Sequence, residues 1–249
     1  MGKIVHEIDD FDLTSFVAVV ETFGQDRYGY VVTPNVDHLI RYYDDPAFRD
    51  HYAAASYVLM DSRFASRLIR LLKGLQLPVC TGSDLTATIF RKLVSPLDRI
   101  VLIGGSDEQA QKIGQLSGVR NLYHHNPPMG FIRNPAAVED CLKFIEAHSP
   151  FRYCFIAVGA PQQEAVAHAL RVRGRARGLA LCVGASLNFI TGAERRAPQW
   201  MQQAGLEWLY RLLQDPRRLA SRYLIRGPRF FAQLTRAEFV LRKHPGTAC

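Results

Sequence analysis

Short runs of β-branched and aromatic residues alternate with amphipathic stretches along the chain, and each run ends on a polar or glycine-rich turn. That alternation predicts an α/β fold with a largely parallel, Rossmann-like sheet flanked by helices. Residues 28–33 (YGYVVT) read as a strand; Pro34-Asn35 breaks it, and a helix follows over 36–43. Residues 56–60 (SYVLM) form a second strand ending at Asp61, followed by a helix over 62–73 with a basic face. Three strand–glycine–helix units come next. Residues 99–103 (RIVLI) run into Gly104-Gly105-Ser106-Asp107 and a helix from about 108. Residues 153–158 (YCFIAV) run into Gly159-Ala160-Pro161 and a helix over 162–171, and residues 179–183 (LALCV) into Gly184-Ala185-Ser186. A last helical region starts near Pro198 and runs to about Lys243, broken at Asp215-Pro216 and Gly227-Pro228. The expected organisation is an α/β core over 1–200 and a basic helical C-terminal appendage over 201–249.

Charge sharpens the view of that appendage. The net charge is +8, and nine Lys/Arg lie between Arg211 and Lys243 against only Asp215 and Glu238. Such a patch suits a membrane surface, a phosphorylated substrate or nucleic acid, or is simply a solvated helix face. Aromatic residues are interleaved with the arginines: Trp200, Trp208, Tyr210, Tyr223, Phe230 and Phe231. This mixture suits the headgroup region of an anionic bilayer, whereas packing on the core is the expectation for Trp200 and Trp208. The N-terminal segment has acids where a signal peptide needs an apolar stretch, and no apolar run approaches the ~20 residues of a spanning helix. A cytoplasmic protein, peripherally associated with the inner face of the membrane, is therefore expected.

The five cysteines include no CxxC pair, and Cys80, Cys154 and Cys182 sit in apolar runs where a thiol packs as a small hydrophobe. No ligand-spaced Cys or carboxylate surrounds His124-His125, so no metal site is expected there.

The candidate chemistry falls at the carboxyl ends of strands, where open parallel sheets bind ligands. Glycine turns there let backbone N–H groups approach a diphosphate, and helix N-termini favour its charge. None of these turns is a dinucleotide or P-loop fingerprint, so each is equally a plain strand-to-helix turn. Asp61 reads two ways: as the N-cap of the following helix, or as a general base taking a proton from an attacking hydroxyl. Asp84 has the same ambiguity, and Asp37 reads as a first-turn acid favoured by the helix dipole.

Three blocks together resemble the WecG/TagA/CpsF family of glycosyltransferases (glycosyltransferase family 26). They are Thr33-Pro34-Asn35-Val36-Asp37-His38 with Asp61 downstream, residues 158–164 (VGAPQQE), and residues 195–223 (RRAPQWMQQAGLEWLYRLLQDPRRLASRY). Residues 81–85 (TGSDL) and 127–131 (PPMGF) add weaker support. The resemblance covers about 30–223. It implies an inverting, metal-independent transferase with no cofactor, moving a hexose or N-acetylhexosamine-type sugar from a UDP-sugar to a polyprenyl-diphosphate-linked sugar in cell-surface polysaccharide synthesis. It implies Asp61 as catalytic base and Thr33, Asn35 and Gln163 at the substrate. Tail arginines would meet the donor diphosphate, with Arg211, Arg218 and Arg222 the nearest matches. Gly104, Gly105, Gly159, Gly184 and Asn188 complete the expected substrate-binding set. The chain departs from the family pattern at Ser62-Arg63 after the base, at Val79 and at Asn188, which leaves the donor sugar open.

The rival readings are a nucleotide-sugar epimerase or dehydrogenase, a basic nucleic-acid-binding protein and a non-catalytic partner subunit. The dinucleotide fingerprint and Tyr-x-x-x-Lys pair that the first needs are absent, as are nucleic-acid-binding motifs, so nucleic acid is not an expected partner. Oligomeric state is left open.

Overall fold

The computed structural model describes residues 4–216 and 227–244. Its centre is a six-stranded, all-parallel sheet in the order β3-β2-β7-β6-β4-β5. The strands are β2 (Tyr28–Val32), β3 (Tyr57–Val58), β4 (Arg99–Ile103), β5 (Asn121–His125), β6 (Tyr153–Ile156) and β7 (Gly178–Cys182). The four inner strands are almost wholly buried, which is why each reads as an unbroken apolar run.

Alternate side chains feed two cores. Tyr30, Val32, Val101, Ile103, Ile156 and Cys182 face one layer, made by α2 (Val36–Asp44), α3 (Pro46–Ala53), α4 (Arg63–Lys73), α7 (Pro135–Ala147) and α8 (Gln162–Arg173). Val31, Leu102, Phe155 and Leu181 face the other, made by α1 (Leu13–Thr22), α5 (Gly82–Thr88), α6 (Asp107–Ser117) and α9 (Ser186–Thr191). Helices cover both faces, as a parallel sheet requires. Cys80, Cys141, Cys154 and Cys182 are free thiols buried in these layers. No described helix is long and apolar enough to cross a membrane.

The C-terminal region departs from the helical expectation. After α10 (Gln199–Gln203), α11 (Glu207–Gln214) and α12 (Gly227–Arg236), residues Glu238–Arg242 form a strand, β8, not a helix. It pairs in parallel with β1 (Val5–Asp9), from Val5 opposite Glu238 to Asp9 opposite Arg242. Each strand lacks a partner nearby in sequence, so local periodicity could not reveal either. Phe230 and Leu234 of α12 are buried in the first core. Trp208 packs on Phe64 with ring centroids 6.0 Å apart. Trp200, expected on the core, is 64% exposed, because the five-residue α10 turns Met201 inward instead.

One glycine limits how the sheet can be assembled. Gly178 opens β7 with φ +118°, and a Cβ there would lie 2.0 Å from the carbonyl oxygen of Phe151. Gly178→Ala is expected to cost about 3 kcal/mol through backbone strain and collision. A thermal midpoint within about 2 °C of the parent would contradict this.

Candidate active site

A cleft of about 700 Å³ opens at the carboxyl ends of β2, β3, β6 and β7. The ends converge because β7 is inserted between β2 and β6, which places turns from distant parts of the sequence side by side. Thr33 and Asn35 follow β2, Asp61 follows β3, Gly159 and Gln163 follow β6, and Gly184 follows β7; all line the cleft. So does Arg211 of α11.

Asp61 is not the cap of α4. Ser62 fills that position, its hydroxyl accepting from the N–H of Ala65 at 3.1 Å. The carboxylate of Asp61 is thereby left for the cleft floor, where Oδ1 accepts from the N–H of Gly82 at 2.7 Å. Gly82 can come this close because it has no side chain: a Cβ would lie 3.1 Å from Thr33 Oγ1. Burial pushes the Asp61 carboxyl up to about 6; the Gly82 N–H and the charges of Arg211 and Arg196 pull it down, and Glu207 pushes it up. An acid set this way exchanges its proton near neutrality.

The rest of the floor is held by short internal bonds. Thr33 Oγ1 donates to the carbonyl of Cys182 at 3.3 Å. Asn35 caps α2, accepting from the N–H groups of Asp37 and His38. Gln163 ties two turns together: its Oε1 accepts from the N–H of Gly184 at 2.9 Å, and its Nε2 donates to Glu164 Oε1 at 2.8 Å. Glu164 is fully buried, and burial pushes it up to about 7. Gly159 has φ +80°, and a Cβ there would meet nothing within 4 Å.

A charged frame forms the rim. Asp84, in the first turn of α5, pairs with Arg63 (3.1 Å) and with Arg196, and accepts from Thr81 Oγ1 at 2.8 Å. Burial opposes the charge on Asp84, but the Arg196 hydrogen bond, with Thr81 and Arg63, holds its carboxyl at about 2. Glu207 lies 3.9 Å from Arg196 and 3.7 Å from Arg211, whose guanidinium sits 5.0 Å above the Phe189 ring. Nη1 of Arg63 and Nε of Arg211 are covered from solvent and have no acceptor among the described residues.

Other expected residues lie elsewhere. Gly104 and Gly105 (φ +89° and +80°) form the β4–α6 turn and do not line the cleft. Asn188 stands one layer behind it, accepting from Gln109 Nε2 and donating to Glu194 Oε1, and it is Glu194 that reaches the cleft. Arg218 and Arg222 lie outside the described residues. His124 bonds Asp107 (3.0 Å) and the carbonyl of Gly104 (3.1 Å). Arg63, Arg195 and Glu207 line the cleft without having been expected there. Their signals were available: Arg63 follows Asp61 by two residues, and the other two lie in the block over 195–223.

The strained carboxyl has a consequence for stability. Its folded pKa is raised, so the fold is favoured below the ordinary value of 3.8 and loses that contribution as pH climbs to about 6. Asp61→Asn is therefore expected to stabilise the fold at pH 7.5, by an amount on the order of 2 kcal/mol read as a higher thermal midpoint, and to make no difference at pH 4. A variant less stable than the parent at pH 7.5 would count against a desolvated carboxylate at this position.

A family model for the glycosyl transferase WecG/TagA/CpsF family matches residues 4–244. With that match spanning nearly the whole chain, and a carboxylate and arginines meeting at the carboxyl edge of its sheet, the protein belongs to the WecG/TagA/CpsF family of glycosyl transferases.

Proposed function

We propose that this glycosyltransferase of cell-surface polysaccharide synthesis moves a hexose or N-acetylhexosamine-type sugar from a UDP-sugar onto a polyprenyl-diphosphate-linked sugar, with inversion and without a metal ion. The observation that carries the reading is the half-buried Asp61 on the cleft floor, its pKa raised to about 6, facing a rim of guanidinium groups.

The chemistry follows from the two sides of the cleft. Oδ1 of Asp61 is engaged by Gly82, so Oδ2 takes the proton from the acceptor hydroxyl as its oxygen attacks the sugar C1. The bond from C1 to the diphosphate oxygen breaks on the opposite face, and its electron pair leaves with UDP. Attack from one face and departure from the other invert the anomeric centre. The charge growing on the diphosphate is met by Arg211, by the N–H groups of the Gly159 turn and, in this reading, by Arg218 and Arg222. Fixed donors of this kind act without reorganising in the transition state. Arginine suits the task because its planar fork holds two phosphate oxygens at once.

Replacing the base separates binding from chemistry. Asp61→Asn is expected to keep UDP affinity within a few-fold while kcat falls about 10³-fold, within the usual range for a lost general base. Turnover near the parental rate would remove Asp61 from the role. In the parent, kcat/KM should rise with pH through about 6, because the base works only when ionised. A rate independent of pH from 4.5 to 7.5 would say the same against it.

Attachment to an anionic membrane is supported by Leu213 (71% exposed) and Phe231 (47% exposed), which stand in the arginine-rich C-terminal region. Each cation near such a surface contributes about 1 kcal/mol, so a few suffice for reversible binding. The double variant Leu213→Glu with Phe231→Glu should lose most of its cosedimentation with phosphatidylglycerol vesicles. Undiminished binding would contradict a docking role for these two side chains.

A further inference from the structure

Asp61 follows the shortest described strand of the sheet. Among the described residues β3 is an edge strand of two residues, paired only with β2. On the β2 side the segment is secured by backbone bonds, with Leu59 N–H donating to Val32 O and Asp61 N–H to Pro34 O, both at 3.0 Å. On the outer side, the N–H of Val58 meets no strand among the described residues. It donates instead to Oδ2 of Asp9, at 2.6 Å. A side-chain carboxylate thus stands where the carbonyl of a seventh strand would be.

Asp9 is fully buried, so its charge needs compensation. The compensation comes from the other end of the chain. Arg242, the last residue of β8, places Nε on Oδ1 and Nη2 on Oδ2 (3.0 Å), and His244 Nε2 lies 2.9 Å from Oδ1. The pairing of β1 with β8 brings Arg242 directly opposite Asp9 and sets this fork. One continuous path of hydrogen bonds therefore runs from the C-terminal strand through Asp9 to Val58, three residues before Asp61.

We infer that Asp9 and Arg242 are positioning residues for sugar transfer: the C-terminal strand, through this bidentate pair, fixes the outer edge of β3 and with it the placement of Asp61 on the cleft floor. The inference rests on the reading of Asp61 as the base. Neither residue lines the large cleft, so they act through the strand and not on the substrate. The C-terminal region then contributes at two separate points, with Arg211 in the cleft and with Arg242 behind the strand that carries the carboxylate.

The test uses the full chain with Arg242→Ala and Arg242→Lys, the second keeping the charge but not the planar fork. A misplacement of about 1 Å at a reacting group costs up to about 100-fold in rate. For Arg242→Ala, kcat should fall about 10- to 100-fold with the donor KM within about threefold. Hydrogen exchange at the amides of residues 58–61 should be faster, and Arg242→Lys should fall between the variant and the parent on both measures. A pair that only staples the ends together would lower the thermal midpoint and leave kcat at the parental value well below the transition. That result overturns the inference, as does an unaccelerated Val58 amide. If Arg242→Ala does not fold, Arg242→Lys carries the same comparison. Should the parent itself transfer no sugar, the reading of Asp61 as base fails separately. The carboxyl titration of Asp61 then decides: a midpoint moved in Arg242→Lys supports positioning, and an unchanged one overturns it.

Discussion

The cleft depends on one carboxylate being kept short of partners. A buried acid surrounded by donors or cations is held below its ordinary pKa, whereas burial without them raises it. Among the described residues Asp61 has one short hydrogen bond, from a backbone N–H, and burial dominates its environment. Neighbouring residues take the tasks that would otherwise neutralise it. Ser62 caps α4, and Gly82 comes close without bringing a side chain. Arg211 and Arg196 are near enough to pull on the charge, yet Arg196 is bound to Asp84 and Arg211 is drawn to Glu207 and Phe189. The result is a group able to accept a proton near neutral pH, at a cost in stability that the two large cores offset.

The frame around it solves the opposite problem, keeping arginines oriented while leaving donors unused. A guanidinium has five N–H groups in a plane, so one edge can be fixed while another remains available. Asp84 serves as the anchor, bound by Arg63, Arg196 and Thr81 and held at about 2. It therefore stays ionised throughout the range in which Asp61 titrates. The two carboxylates, some twenty residues apart in sequence, are set about four pKa units from each other by their surroundings. One orients cations, and the other is free to move a proton.

How much of this was legible in the sequence follows from the physics of each element. β2, β4, β6 and β7 are buried on both faces, so the apolar runs betrayed them within a residue or two. β3 shrank from the expected five residues to two because an edge strand has a ladder on one side only. β5 is half-buried throughout and reads as a polar segment with two histidines. β1 and β8 exist only through pairing between the two ends of the chain, which no local pattern records. The site shows the same division. Every strand end looked equally eligible, but the strand order brings the β2, β3, β6 and β7 ends to one cleft and leaves Gly104 and Gly105 outside it. Asn188, expected at the substrate, braces Glu194 instead. The two readings of Asp61, cap or base, could not be separated by spacing; in the fold a serine one residue later takes the cap and removes that reading.

The central claim is that residue 61 presents a desolvated carboxylate opposed by arginines across an open cleft. Titrating the Asp61 side-chain carbon by ¹³C NMR tests it most directly, since the signal reports the protonation of that one group with no assay of turnover. The account expects a midpoint near 6. A midpoint at or below the ordinary aspartate value of 3.8 would mean that the carboxylate is solvated or fully paired, and the account of the cleft would not stand.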